Sequence, residues 1–417
     1  CGTRSWPPRA ISTKCTSKFV PDEVDKDEFN DVDPSRPYME KARLSFIDNL
    51  RILLITLVAM VHLSITYGGA GSWYYKEGQA DMLSSVILSW HNGTVQAFSM
   101  GLFFLIAGYF TPGSYDRKGP RPFLKDRLLR LGIPMLCYDF VIGPLVAYPL
   151  IKVGAWRSAG SYLDYLGGYY SRFHIGTGPL WFAEALLVFA IGYALWRAFA
   201  RTAAPAAQCD GKLPGGWAIA VFVVALGAVS FLVRIWLPIG WAFGPLNLQF
   251  PFFPQYICLF IVGIIAYRRN WLVRIPDAKG RFWLCAAIAL VLIVFPALIV
   301  AGGALSGNLV PFMGGLHWQC FAYAIWEQVA GVAIIIALLA LFGKRLNHQG
   351  KLAQAASASA YTAYIIHGPI IILVALAIRN ITLYPLLKFA LAVVISVPLC
   401  FALANVMRKL PLARKIL

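Results

Sequence analysis

Charge is what this sequence has little of. Only 13% of its 417 residues are Asp, Glu, Lys or Arg, and just 19 are acidic. Soluble domains carry about a quarter charged residues, so an ordinary water-soluble globule is excluded. Paired cysteines are lacking as well. The eight cysteines (1, 15, 137, 209, 258, 285, 320 and 400) form no CxxC pair and no metal-ligand spacing, and most lie in apolar runs. No metal is expected, and small core hydrophobes are the plain account of them. A charged start followed by a short apolar core, the mark of a secretory signal peptide, is absent. So are the short alternating strands of a membrane β-barrel.

What is present is apolar sequence in blocks of about twenty residues, long enough to cross a ~30 Å hydrocarbon core. Ten such blocks lie near residues 47–67, 85–111, 129–151, 179–199, 216–237, 250–267, 282–302, 322–343, 358–378 and 383–406. The expected fold is all-α, a polytopic transmembrane helical bundle of about ten spans.

The formal charge of +18 is set by where the basic residues fall. With the N-terminus inside, segments 113–130, 197–215, 268–281, 344–354 and 407–417 face the cytoplasm and hold 21 Lys and Arg. The opposite loops hold far fewer, among them Lys76, Arg157, Arg172 and Arg379. That asymmetry follows the positive-inside rule and puts both termini in the cytoplasm. The charge reports topology, so no nucleic-acid partner is expected. The lipid bilayer is the surface that these residues address.

Residues 1–38 differ from the rest. They contain Pro7-Pro8 and seven acidic residues between Asp22 and Asp33, with little apolar periodicity. A disordered acidic leader is expected there, with Met39 as the natural start and residues 39–417 as the membrane domain. A lipidated Cys1 would place the N-terminus outside and invert the basic-loop pattern.

Ionisable residues inside the spans cost about 2.5–3.5 kcal/mol each for Arg or Asp at the centre, so each needs a reason. The first span, "FIDNLRILLITLVAMVHLSITYGG", carries Asp48, Asn49, Arg51 and His62. Eleven residues bring Arg51 and His62 onto one stripe, roughly 16 Å apart along the axis. On position alone, Arg51 is slightly better explained by snorkelling and by pairing with Asp48 at i−3 than by a functional role. His62 lies too deep for a short imidazole to snorkel, which favours a functional role. Glu184 and Glu327 enter their spans from the opposite side, where Arg234 also lies. An outward cavity lined by His62, Glu184 and Glu327 is one account; an interhelical Arg234–glutamate pair is the other. Arg127 and Arg130, at i and i+3 in "RKGPRPFLKDRLLRLGIP", share a helix face at the membrane surface. They suit either a phosphate-bearing ligand or anchoring to anionic lipid.

Together these segments resemble the acyltransferase type 3 family of integral-membrane acyltransferases, over almost all of residues 44–406. "FIDNLRILLITLVAMVHL" is similar to the family's opening, with arginine, ten residues, then histidine. "MGLFFLIAGYF" resembles its Phe-Phe-x-x-Ser-Gly-Tyr/Phe pattern, with Ala107 where serine is usual. "FLKDRLLRLGIP", "GPLWFAEALLVF" and "SASAYTAYIIHGPI" match the Arg-x-x-Arg-Leu, Leu-Trp-Phe and Tyr-x-x-Tyr-x-x-His-x-Pro elements.

The resemblance implies an acyl-CoA donor approaching from the cytoplasm, with its phosphates near Arg127 and Arg130 and no tightly bound cofactor. The acceptor would be an envelope glycan or a small hydroxylated molecule, outside a bacterial plasma membrane. His62 would be the catalytic histidine, either a general base or, less economically, an acyl carrier. Arg51 would hold the donor or stabilise charge on the thioester oxygen. Glu184 would orient His62 or the acceptor. Asp48 would support the donor side, Tyr109 would pack or hydrogen-bond within the same cavity, and His367 would be structural or pore-lining. The alternative is a proton-coupled secondary transporter, which should show internal repeats and broken helices. No convincing repeat relates the two halves. A purely structural scaffold would leave His62 unexplained.

Overall fold

The structure, a computed structural model, describes residues 44–156, 160–171, 178–200, 210–244, 246–411 and 413. The acidic leader, the Met39 start, Cys1, Cys15, Cys209, Arg157 and Arg172 lie outside the described residues. From Leu44 onward the chain forms one compact unit. Among the described residues, ten helices are long and apolar enough to cross a membrane: α1 Ser45–Thr66, α2 Met82–Lys118, α3 Pro120–Lys152, α4 Gly178–Phe199 and α5 Gly216–Trp236. They continue with α6 Phe250–Arg268, α7 Asp277–Ala301, α8 Trp318–Arg345, α9 Lys351–Ala377 and α10 Pro385–Met407. Each coincides with an expected span, and among the described residues there is no strand.

Helix ends follow local chemistry. Asp81 caps α2 by accepting from the Ser84 backbone N–H at 3.0 Å, which satisfies one of the orphan donors of the first turn. Hydrogen bonds from the Ser84 side chain and backbone hold the Asp81 carboxyl below its ordinary pKa. α2 runs about seven residues beyond its apolar block, because Arg117 and Lys118 complement its C-terminal dipole and Gly119, at φ 76°, ends it.

Close helix contacts rest on glycine. A Cβ on Gly108 of α2 would stand 2.1 Å from the Phe260 carbonyl oxygen, and one on Gly263 of α6 2.2 Å from that of Leu105. Small residues let membrane helices approach this closely. The glycine of "FFLIAGYF" is therefore a packing residue.

Helix α3 is irregular in a way that matters for the site. Two π-helical turns, Leu128–Gly132 and Tyr138–Ile142, flank a short α segment. Pro134 has no N–H for the Arg130 carbonyl four residues back, and the Tyr361 hydroxyl donates to that carbonyl instead, at 2.6 Å. Pro144 deprives the Phe140 carbonyl likewise, and the Tyr170 hydroxyl donates there at 2.8 Å. Tyrosines from distant elements thus satisfy backbone groups that proline frees within the membrane.

The interior around α1, α2, α3, α4, α6 and α9 is aromatic, with Phe104, Tyr138, Phe182, Tyr256 and Tyr364 in one buried cluster. A charged pair is buried elsewhere. Arg234 donates to Glu327 Oε2 at 2.6 Å, the two side chains being 0% and 1% exposed. Gln328 donates to the same oxygen at 2.9 Å, and Arg234 sits over the rings of Phe252 and Tyr323. Of the two accounts of Glu327, the interhelical pair is the one realised, and its partner is Arg234 rather than His62. The physical reason is that a buried charge is far costlier alone than paired.

Candidate active site

His62 stands four turns into α1, half-buried. Trp73, from the loop joining α1 to α2, lies flat against it with ring centroids 3.7 Å apart and planes 18° from parallel. His367 of α9 is a third near-parallel ring, 5.3 Å from His62 and 22° inclined. Among the described residues, His62 Nδ1, His367 Nε2 and Trp73 Nε1 are buried without a hydrogen-bond partner. Over nine-tenths of buried polar groups find partners, so three open ones in touching side chains mark a site for a ligand's polar atoms or for water.

The loop carrying Trp73 is held at several points. Lys388 of α10 pairs with Glu77 and donates to the Arg379 carbonyl, Tyr384 donates to Asp81 at 2.9 Å, and Trp156 Nε1 donates to the Tyr74 carbonyl at 2.8 Å. Burial pushes the Tyr74 phenol up, so it stays protonated. Its hydroxyl would lie 2.1 Å from a Cβ on Gly178, whose φ of +48° also favours glycine. A Cβ on Gly368 would meet the Tyr138 hydroxyl at 3.0 Å.

The three-residue spacing in "YTAYIIH" puts Tyr361, Tyr364 and His367 on one face of α9. Their rings follow one another at 6.3 and 5.8 Å. The His367 Nδ1–H donates to the Tyr364 carbonyl, and the Tyr364 hydroxyl donates to the Pro179 carbonyl at 2.6 Å. At the other end of this ladder, Tyr361 reaches the Arg130 backbone.

Arg130 belongs to a basic cluster. Arg127 is coupled electrostatically to Arg130 and to Arg51 of α1, with Asp126 and Tyr361 beside it. Arg51 pairs with Asp48 at 3.1 Å, as the i−3 spacing predicts, and its guanidinium lies over the Phe110 ring. Arg130 pairs with Asp126 at 3.1 Å. Three guanidinium groups, with Lys118 also on Asp126, outweigh two carboxylates, and the excess suits a multiply charged anion. Ile55 and Val58, on the α1 stripe between Arg51 and His62, pack into the aromatic cluster.

The expected site residues therefore divide. Arg51, Asp48, Arg127 and Arg130 gather at one end, and His62 meets His367 at the other. Glu184 is buried near the start of α4, between Ala183 and Ala185, and it is not a partner of His62 Nδ1. Tyr109 does not share the histidine site. It packs in a second cluster with Leu50 and Leu54, edge-on to Tyr267 of α6 at 5.5 Å. It follows Gly108 at the α2–α6 contact and is drawn into that interface.

Sequence reasoning missed Trp73, whose loop gave no signal. Tyr361 and Tyr364 were met only as the tyrosines of a motif and given no role, although their three-residue spacing puts them on the His367 face. Asn49, noted in the first span but given no role, donates from its side chain to the Leu346 and His348 carbonyls at 2.7 and 3.0 Å and accepts from Gln349, tying α1 to the α8–α9 connection.

The profile of an acyltransferase domain matches residues 44–405. The chain belongs to the acyltransferase type 3 family. Glucans biosynthesis protein C of Salmonella typhi and of Salmonella typhimurium is 25% identical over 349 residues, covering 78% of this chain and 81% of the relative. The protein of that name from Salmonella paratyphi B is 24% identical over 345 residues. No solved structure matches. The chain is a multi-pass membrane acyltransferase, and the family gives the transporter alternative no support.

Proposed function

We propose that this acyltransferase moves an acetyl, succinyl or similar group from acyl-CoA to a hydroxyl of an extracytoplasmic glycan, in a bacterial plasma membrane. The observation that carries the reading is the single stripe joining a basic cluster to a stacked histidine pair. Arg51, Arg127 and Arg130 would grip the nucleotide phosphates, and the long pantetheine arm would follow the Tyr361–Tyr364 face toward His62. The basic-loop asymmetry supports a cytoplasmic arginine end. The name of the Salmonella relatives, glucans biosynthesis protein C, supports a glycan acceptor and a bacterial host.

The chemistry is one displacement. His62 takes the proton from the acceptor hydroxyl as its oxygen attacks the thioester carbonyl. A C–O bond forms, the C–S bond breaks, and the CoA thiolate leaves with the proton returned by the imidazolium. Aromatic walls keep water, a competing nucleophile, away from the thioester. No acyl-histidine is required.

The test uses membranes holding wild-type protein or His62→Ala at matched levels, with labelled acetyl-CoA or succinyl-CoA. Label should enter envelope glycans from one donor with the wild type and fall about 10³-fold in the variant. Undiminished transfer by folded His62→Ala would remove the histidine from the mechanism.

A further inference from the structure

Glu184 offers His62 Nδ1 no hydrogen bond, and neither does any other carboxylate among the described residues. A histidine base nonetheless needs a fixed tautomer, because only a ring nitrogen with a free lone pair can take the proton. The group beside it is His367, 1% exposed, whose own tautomer is determined by its neighbour. The Tyr364 carbonyl can only accept, so His367 Nδ1 carries the hydrogen and the neutral ring presents Nε2 as a lone pair. That lone pair is buried and open, and so is Nδ1 of the adjoining His62. The two open nitrogens are complementary, one able to donate and the other able only to accept.

We propose that His367 is the positioning residue for the base. His62 Nδ1–H donates through one water to His367 Nε2, and His367 Nδ1–H donates to the Tyr364 carbonyl. The rings are near-parallel, so their in-plane N–H and lone-pair directions do not meet directly, and a bridging water completes the link. His62 Nε2 is thereby left with the lone pair that faces the acceptor hydroxyl. The imidazolium formed on proton transfer is stabilised along the same chain, the task a carboxylate performs in a Ser-His-Asp triad. No proton leaves the chain: His62 takes one at Nε2 and returns it to the departing thiolate.

This rests on the proposed acyl transfer with His62 as base. The full chain is assayed in detergent or membranes as His367→Met, which cannot accept as the imidazole does, and His367→Gln, which keeps an acceptor oxygen at similar reach. The expected result is a loss of kcat of about 10- to 100-fold in the methionine variant, an unchanged KM for acyl-CoA, and partial recovery of kcat by glutamine. Wild-type kcat in folded His367→Met would overturn the assignment, as would a defect confined to KM. If only the glutamine variant folds, its kcat decides: a loss as deep as that of His62→Ala overturns the assignment, and a milder one upholds it. Failure of the wild type to transfer any acyl group would instead overturn the reaction itself, which separates the two ideas.

Discussion

Helices α7 and α9 are both long enough to span a bilayer, yet they are used in opposite ways. α7 is the most apolar of the ten and the least buried; α9 is less apolar and the most buried. In α7, Ile288, Leu292 and Ile293 point outward, whereas α9 turns Ser359, Thr362, Tyr364 and His367 inward. Water would have sorted the two the other way. Lipid tails are as apolar as leucine, so exposing α7 costs nothing, while a hydroxyl or imidazole in hydrocarbon must find protein partners. Chemistry in such a fold belongs on its more polar, enclosed helices.

The sharpest test of that contrast is catalytic. His62 faces α9, and His62→Ala should cut transfer by about 10³-fold, whereas no substitution on the outer face of α7 should change turnover measurably. The next effect is on stability. Ile371 of α9 is fully buried, and Ile371→Ala should cost about 2–4 kcal/mol, read as a lowered melting temperature in detergent. A smaller loss is expected of Tyr361→Phe, which strips the Arg130 carbonyl of its donor and should cost about 1 kcal/mol, with a raised KM for acyl-CoA as Arg130 loosens. Smallest is Ile293→Ala on α7, within about 0.5 kcal/mol of wild type. Equal costs for Ile293→Ala and Ile371→Ala would break the comparison.

The spans were readable because the bilayer imposes a length on every apolar block. The Asp48–Arg51 pair was readable because it is local, three residues along one helix. Adjacency between distant helices was not: nothing in one chain says that α1 and α9 are neighbours, so His367 could be read from its motif only as structural or pore-lining. Glu327 shows the same limit from the other side, since its partner Arg234 comes from a helix chosen by packing. Tyr109 was assigned by its motif to the wrong neighbourhood, because the motif's glycine serves the α2–α6 contact.

The hydrogen bond from Tyr361 to the Arg130 carbonyl has an evolutionary consequence. Pro134 creates the need for it, so the two positions are bound to drift together. A lineage that replaced Pro134 with alanine would regain the helical N–H and release position 361 to become phenylalanine. One that changed position 361 first would have to pass through a less fit intermediate. The order of substitution is constrained although the residues are far apart in the chain, and Pro134→Ala should partly rescue Tyr361→Phe.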